Sequence, residues 1–165
     1  MKKIPLLMLC FFLFACQNDP RVVQRPGEPD IVKIEADDSL MNKAIEKANK
    51  TLDQFDSALQ SNDTTLVALA IKMRFGTPEG GGEHIWMTDI ATKDKQYYGV
   101  VGNLPESTME VKVGDTVLIP KDKISDWMYI KNGNLVGGYT IRVLRDQLSD
   151  AEKKAFDEEN GFVVK

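Results

Sequence analysis

Ser125-Asp126-Trp127-Met128-Tyr129-Ile130-Lys131-Asn132-Gly133-Asn134-Leu135-Val136-Gly137-Gly138-Tyr139 is the stretch from which the fold can be read. Two apolar-rich halves flank Asn132-Gly133, the pair that best supplies the two positive-φ positions of a type I′ turn, so the spacing predicts a β-hairpin. In that register Trp127 lies across from Gly138, Met128 from Gly137 and Asp126 from Tyr139. An aromatic ring laid over a glycine shields exposed backbone, which gives Gly137 and Gly138 a packing role. They equally allow a ligand or a helix to approach closely. Asp126 shares its face with Met128 and Ile130, so its carboxylate sits at the rim of an apolar side or in a bulge. There it needs a donor, and Tyr139, Thr140 and Arg142 are the candidates. A partnered acid of this kind serves either structure or a binding site. No second acid can be placed opposite it, so a paired-carboxylate mechanism has no support.

Working outward, the same period of two recurs upstream. In residues 65–75, Ala68, Ala70, Lys72 and Arg74 alternate with larger apolar side chains. Residues 84–90 read as a second strand and 97–101 as a third, and 111–117 as two short strand pieces about Gly114-Asp115. Before the strands, Leu40, Met41, Ala44, Ile45, Ala48, Leu52, Phe55 and Leu59 recur at helical spacing. Asp38 or Ser39 is placed to cap this helix, and Ser61-Asn62-Asp63 ends it. Its other face carries Lys43, Glu46, Lys47, Lys50 and Asp53. After the strands, Ser149-Asp150-Ala151-Glu152 has capping-box spacing ahead of a short helix that stops at Asn160-Gly161. Together these elements predict an α+β domain over residues 31–165. An N-terminal amphipathic helix packs on a curled antiparallel sheet or small barrel of five to six strands, with a short C-terminal helix.

The glycine-rich stretch at 76–82 lacks the Lys-Ser or Lys-Thr pair and following helix of a phosphate loop, and no βαβ unit surrounds it. It reads as a connector, with a lid beside His84 as the alternative. His84 is the single histidine of the chain. On a strand it shares a side with Trp86, while Glu83, Ile85 and Met87 face the other way. His84 and Trp86 are therefore a candidate binding pair or a satisfied core edge. One histidine and no free cysteine leave zinc without its usual ligands, so no metal and no cofactor is implied.

The N-terminus carries an address. Lys2 and Lys3 precede an apolar run at residues 4–14, too short to span a bilayer. It ends in Leu13-Phe14-Ala15-Cys16 and then polar Gln17-Asn18-Asp19, which resembles the lipobox of bacterial lipoproteins. The resemblance implies removal of residues 1–15 as a signal peptide and lipidation of Cys16, hence a membrane partner through a lipid anchor. It also implies a bacterial envelope location, and Gln17 after the cysteine points to the outer membrane, facing the periplasm. Residues 16–30, with Pro20, Pro26, Gly27 and Pro29, read as a flexible tether. Loss of Lys2 and Lys3 moves the formal charge from −4 to −6. An acidic domain is a poor general binder of nucleic acid, so no nucleic-acid partner is implied. Cys10 leaves with the signal and Cys16 carries lipid, so no disulfide and no thiol nucleophile remains.

Glu83-His84-Ile85-Trp86-Met87, residues 99–105, Val113-Gly114-Asp115-Thr116-Val117, Ile124-Ser125-Asp126-Trp127-Met128-Tyr129 and Gly137-Gly138-Tyr139-Thr140-Ile141-Arg142, in this order, resemble the YegJ-like family of small bacterial proteins. Asn42-Lys43-Ala44-Ile45 resembles its opening segment, and the resemblance covers about residues 30–147. It implies no reaction and no catalytic residue. The leading functional reading is a non-enzymatic envelope domain that binds a protein or cell-wall partner, with His84, Trp86, Asp126, Trp127, Tyr139 and Arg142 as candidate binding residues. An immunity-type inhibitor of a periplasmic toxin is a specific version of it. The others are a hydrolase using His84 as base or Asp126 as acid–base, and a purely structural lipoprotein.

Overall fold

The computed structural model describes residues 39–165 throughout and the backbone of residues 22–25 and 28–32. Residues 1–15, read from sequence as a signal peptide, with Cys16 and Asp38, lie outside the described residues. The chain divides into two units, Met1–Lys33 and Ile34–Lys165. In the first, β1 (Val22–Arg25) and β2 (Glu28–Val32) pair antiparallel, with Val22 opposite Val32. This hairpin falls largely within the stretch read as tether and takes in Ile31 and Val32.

The second unit opens with α1 (Ser39–Lys50) and α2 (Leu52–Leu59). Sequence spacing predicts one continuous helix here, and the structure breaks it at Thr51. The Thr51 hydroxyl donates back to the Lys47 carbonyl at 2.8 Å and also meets the Tyr139 hydroxyl at 3.1 Å. Such back-bonding competes with the regular helical ladder. Both segments still bury one face, through Met41, Ala44 and Ala48 and then Leu52, Phe55 and Ala58.

Six strands follow: β3 (Leu66–Gly76), β4 (Gly82–Lys93), β5 (Gln96–Val101), β6 (Thr116–Ile119), β7 (Ile124–Lys131) and β8 (Asn134–Gly137). They form one antiparallel sheet in the order β6-β5-β4-β3-β7-β8. The two ends of this order do not pair, so the sheet stays open and the barrel form is not adopted. The edge at β8 meets the C-terminal segment, where Leu135 N–H donates to the Val163 carbonyl at 2.9 Å. Asn132 (φ 50°) and Gly133 (φ 73°) make the predicted turn, and Met128 pairs with Gly137 as the register requires. Residues 111–113 are not a strand. They lead into a turn in which Asp115 caps Lys112 N–H at 2.8 Å, and only Thr116–Ile119 joins the sheet.

Two further helices complete the unit. α3 (Tyr139–Asp146) follows β8 at once, where the sequence reading had no helix, and α4 (Asp150–Asn160) starts at the predicted capping box. Gly161 ends α4 in the left-handed conformation (φ 69°).

Two irregularities in the β3–β7 pairing set which side chains face which way. Ala68 (φ 53°) is an extra residue on β3. On β7 the extra residue is Ser125, because Lys72 pairs with Asp126 while Met73 pairs with Ile124. The Ser125 hydroxyl donates to the Lys72 carbonyl at 3.2 Å, which satisfies the group the bulge would otherwise strand. Ile124 and Trp127 consequently both enter the main core, with Ala48, Phe55, Ile71, Met73, Ile85 and Met87. Trp127 is fully buried, and its indole N–H donates to the Ala48 carbonyl at 2.9 Å, tying α1 to the sheet. The opposite face of β7 carries Met128 and Ile130, which join Leu135, Ile141, Phe156 and Phe162 in a smaller apolar cluster.

Candidate functional site

The site begins with two consecutive left-handed glycines. Gly137 (φ 70°) and Gly138 (φ 59°) swing the chain out of β8 and directly into α3. A Cβ on Gly137 would lie 2.3 Å from the Trp127 carbonyl oxygen and 2.6 Å from its ring, so only glycine fits. The ring covers Gly137 and not Gly138, the glycine across from Trp127 in the predicted register. Gly138 packs against Leu135 and donates its N–H to the Trp127 carbonyl at 2.8 Å.

This turn aims the N-terminus of α3 at Asp126, which is completely buried. Its Oδ1 accepts from the N–H groups of Trp127 (2.8 Å) and Tyr139 (3.1 Å). Its Oδ2 accepts from the N–H of Thr140 (2.8 Å) and from the Thr140 hydroxyl (2.6 Å). Four donors fill the acceptor capacity of a carboxylate, and two come from the positive end of a helix. Tyr139 and Thr140 are the donors anticipated from sequence. Arg142 is not: its guanidinium reaches the carbonyls of Gly137 (2.9 Å), Leu135 (2.8 Å) and Lys165 (2.6 Å) and fastens the C-terminal segment. The Tyr139 ring packs edge-on to Trp127 at 5.8 Å, with the Lys47 ammonium over it. Asp126, Trp127, Tyr139 and Arg142 are thus engaged within the fold.

His84 and Trp86 belong to a different group on the same face of the sheet. Lys72 pairs across strands with both Trp86 and Asp126, and Arg74 pairs with His84. Lys72 is only 8 % exposed. Its ammonium donates to the Thr140 hydroxyl at 3.2 Å and lies 4.9 Å from the centre of the Trp86 ring. It reaches Asp126 through that hydroxyl and not directly. Burial lowers the Lys72 pKa, against the opposing pull of Asp126. Burial likewise raises that of Asp126, against Lys72 and the donors from Thr140 and Trp127. His84 is brought down to about 4 by burial and then by the cations Lys72 and Arg74, so its imidazole is neutral at pH 7.

Arg74 is exposed and folds over the glycine-rich loop. It donates to the Gly81 carbonyl at 2.9 Å, and a Cβ on Gly82 would collide with its Nε at 2.2 Å. The loop is a tight connector between β3 and β4, with Gly80 and Gly81 both bonded back to Thr77. Among the described residues no ring nitrogen of His84 and no indole N–H of Trp86 makes a hydrogen bond. The backbone N–H of Trp86 is held by Asn103 Oδ1 at 2.8 Å. His84 and Asp126 stand on strands either side of β3, with no bond between them. Lys72 and Arg74 are the members of this group that are not among the candidates read from sequence, and Lys72 is the buried one. Its signal was a lysine in the middle of the most apolar strand.

The profile of a family described as an uncharacterized protein conserved in bacteria (DUF2314) matches residues 38–163. The chain belongs to that family. A relative described as uncharacterized protein YegJ, from Escherichia coli (strain K12), is 33% identical over 141 residues, covering 86% of this chain and 86% of its own. The resemblance read from the Ser-Asp-Trp and Gly-Gly-Tyr-Thr segments is borne out. A putative ankyrin repeat protein of Neisseria meningitidis serogroup B is 33% identical over 138 residues, 79% of this chain. The chain spans about half of that relative's length, 54%. No solved structure matches.

Elsewhere in the DUF2314 domain an open depression of about 680 Å³ is lined by residues of the tail, among them Arg145, Lys153, Asp157 and Phe162. Arg145 and Asp157 form a two-pronged ion pair there, both bonds 2.7 Å. It shares no residue with the Lys72 group. Among the described residues there is no cluster of three or more His, Cys, Asp or Glu side chains placed to hold a metal ion. No described helix is long and apolar enough to cross a membrane.

Proposed function

We propose that this chain is a lipid-anchored binding module of the bacterial envelope, non-catalytic, whose binding face is the part of the sheet around His84 and Trp86. The observation that carries the reading is how the six candidate residues divide. Four are engaged inside the fold, while the side chains of His84 and Trp86, half-buried neighbours on β4, make no hydrogen bond among the described residues. Hydrolysis through Asp126 is disfavoured by its burial and its four donors, and among the described residues no acid is bonded to His84 to orient it as a base. The anchor rests on the N-terminal sequence: a basic start, a short apolar run, Ala15-Cys16, and Gln17 directing the lipoprotein to the outer membrane on its periplasmic side.

The test is a cross-linked pull-down of the full lipidated chain from its own envelope, beside a His84→Ala/Trp86→Ala variant. Trp127 is left intact because its ring is core. A protein or cell-wall fragment recovered in stoichiometric amount by the wild type and lost from the folded variant supports the reading. Identical recoveries overturn it. Palmitate labelling that survives Cys16→Ala would remove the anchor.

A further inference from the structure

We infer that the Lys72–Arg74–His84–Trp86 face is a site for an oxyanion, the carboxylate or phosphate group of the ligand this module binds. The inference rests on the reading of that face as the binding surface, and it names the chemistry that the face selects. An ammonium offers three N–H bonds, and Lys72 has one acceptor among the described residues, the Thr140 hydroxyl. Thr140 passes its own proton to Asp126, and Asp126 already accepts four bonds. The nearest acid is therefore saturated and cannot turn to take the remaining Lys72 donors.

The neighbours of Lys72 on the paired strand add donors. Trp86 lies across from Lys72, and its indole N–H has no partner among the described residues. Arg74, two residues along the same face of β3, uses one N–H on the Gly81 carbonyl and lies over Gly82, adding positive charge at that end of the face. His84, across from Arg74, is neutral, and its ring makes no hydrogen bond among the described residues. Two cations spaced by one strand repeat, with an indole N–H and an imidazole opposite, form a rectangle of positive potential on two neighbouring strands. Buried polar groups are normally paired, and a lysine more than nine-tenths buried has two of its three N–H donors without an acceptor among the described residues. An oxygen anion beside Lys72 meets them, with the Trp86 ring as the wall on which an adjoining apolar part can lie.

The single histidine makes this directly measurable. In the full chain labelled at His84, the one imidazole Cε1–H signal is followed by NMR while sodium acetate or inorganic phosphate is added, with sodium chloride at matched ionic strength as reference. A saturable shift of that signal with acetate or phosphate, accompanied by a rise of the His84 pKa from about 4, is expected. Saturation by acetate alone assigns a carboxylate, and by phosphate alone a phosphate ester. Lys72→Met should weaken the response about tenfold or more. Arg74→Gln, at an exposed position where folding is not at stake, should weaken it as well. The same linear drift with all three salts overturns the inference, and so does a saturable shift that both variants retain. A partner captured in the pull-down without anion saturation would leave the binding module standing and remove only the oxyanion. Anion saturation without a captured partner would do the reverse.

Discussion

Replacing Asp126 by Asn keeps the shape of the side chain and removes its charge, so it isolates what the carboxylate does. In its better orientation the new amide turns its NH2 toward Thr140, whose hydroxyl rotates to accept it. The Thr140 N–H then has no acceptor, a loss of about 1–3 kcal/mol for a buried donor. The bonds from Trp127 and Tyr139 persist but fall from charge-assisted to neutral strength, about 1 kcal/mol each. Lys72 also loses the negative charge of Asp126, which favours its ionised form. Against these stands the relief of removing a charge that burial already disfavours. The balance is a destabilisation of about 3 kcal/mol, a large share of the 5–15 kcal/mol typical of a domain. With a urea slope of about 2 kcal/mol per molar, the unfolding midpoint should fall by about 1.5 M, read by tryptophan fluorescence and far-UV circular dichroism. Thr140→Val should be destabilising in the same assay, and the double variant less than additive, because both changes act on one network. A midpoint within about 0.3 M of wild type for Asp126→Asn would refute the idea that this carboxylate holds α3 to the sheet.

Gly137→Ala should lose about 3 kcal/mol or more, combining left-handed strain with a collision against the Trp127 carbonyl. Gly161→Ala, equally left-handed but facing open space, should lose only about 1 kcal/mol, and equal losses in the two would dismiss the collision. Arg142→Lys keeps the charge but cannot serve three carbonyls at once. Faster hydrogen exchange at the Leu135 and Val163 amides and earlier proteolysis of the C-terminal segment should follow, and unchanged exchange would count against that fastening. His84 titrates near 4 when folded and near 6.5 when unfolded, so the unfolded chain takes up its proton first as the pH falls. Stability from this group is fully present above pH 6.5 and is lost toward pH 4, about 3 kcal/mol in all. His84→Gln should flatten that limb of the stability curve, and an identical acid limb in both proteins would contradict the assignment.

The parts of the fold legible in the sequence were those governed by neighbours in the chain. Asn132-Gly133 fixes its turn through local φ preferences, and Ser149 with Glu152 caps α4 by bonds three residues apart. The alternation that sends Ile85 and Met87 inward and His84 and Trp86 outward needs only a strand. What escaped reading depends on distant partners. The break at Thr51 involves Tyr139, and the Ser125 bulge is imposed by β3. Gly137-Gly138 could be read as strand packing because glycine permits an extended chain as readily as a left-handed one. For the same reason α3 went unseen. Within the site, Asp126 was recognisable as a partnered acid, and two of its three suggested donors were right. Lys72 was not recognisable, because alternation places a lysine on a face without revealing how deeply its side chain is buried there.

The bulge at Ser125 also bears on what this sheet refuses to do. A strand with unbroken alternation can slide by two residues along a neighbour and still present an apolar row. β7 presents Ile124 and Trp127 to the core, a separation of three that no regular strand offers. A neighbour pairs fully with it only by accommodating one extra residue at that point, as β3 does. A slipped register of β3 on β7 places the extra residue out of phase and forfeits bonds on one side of it. The bulge therefore pins the two strands to one alignment, the one that sets Lys72 opposite Asp126.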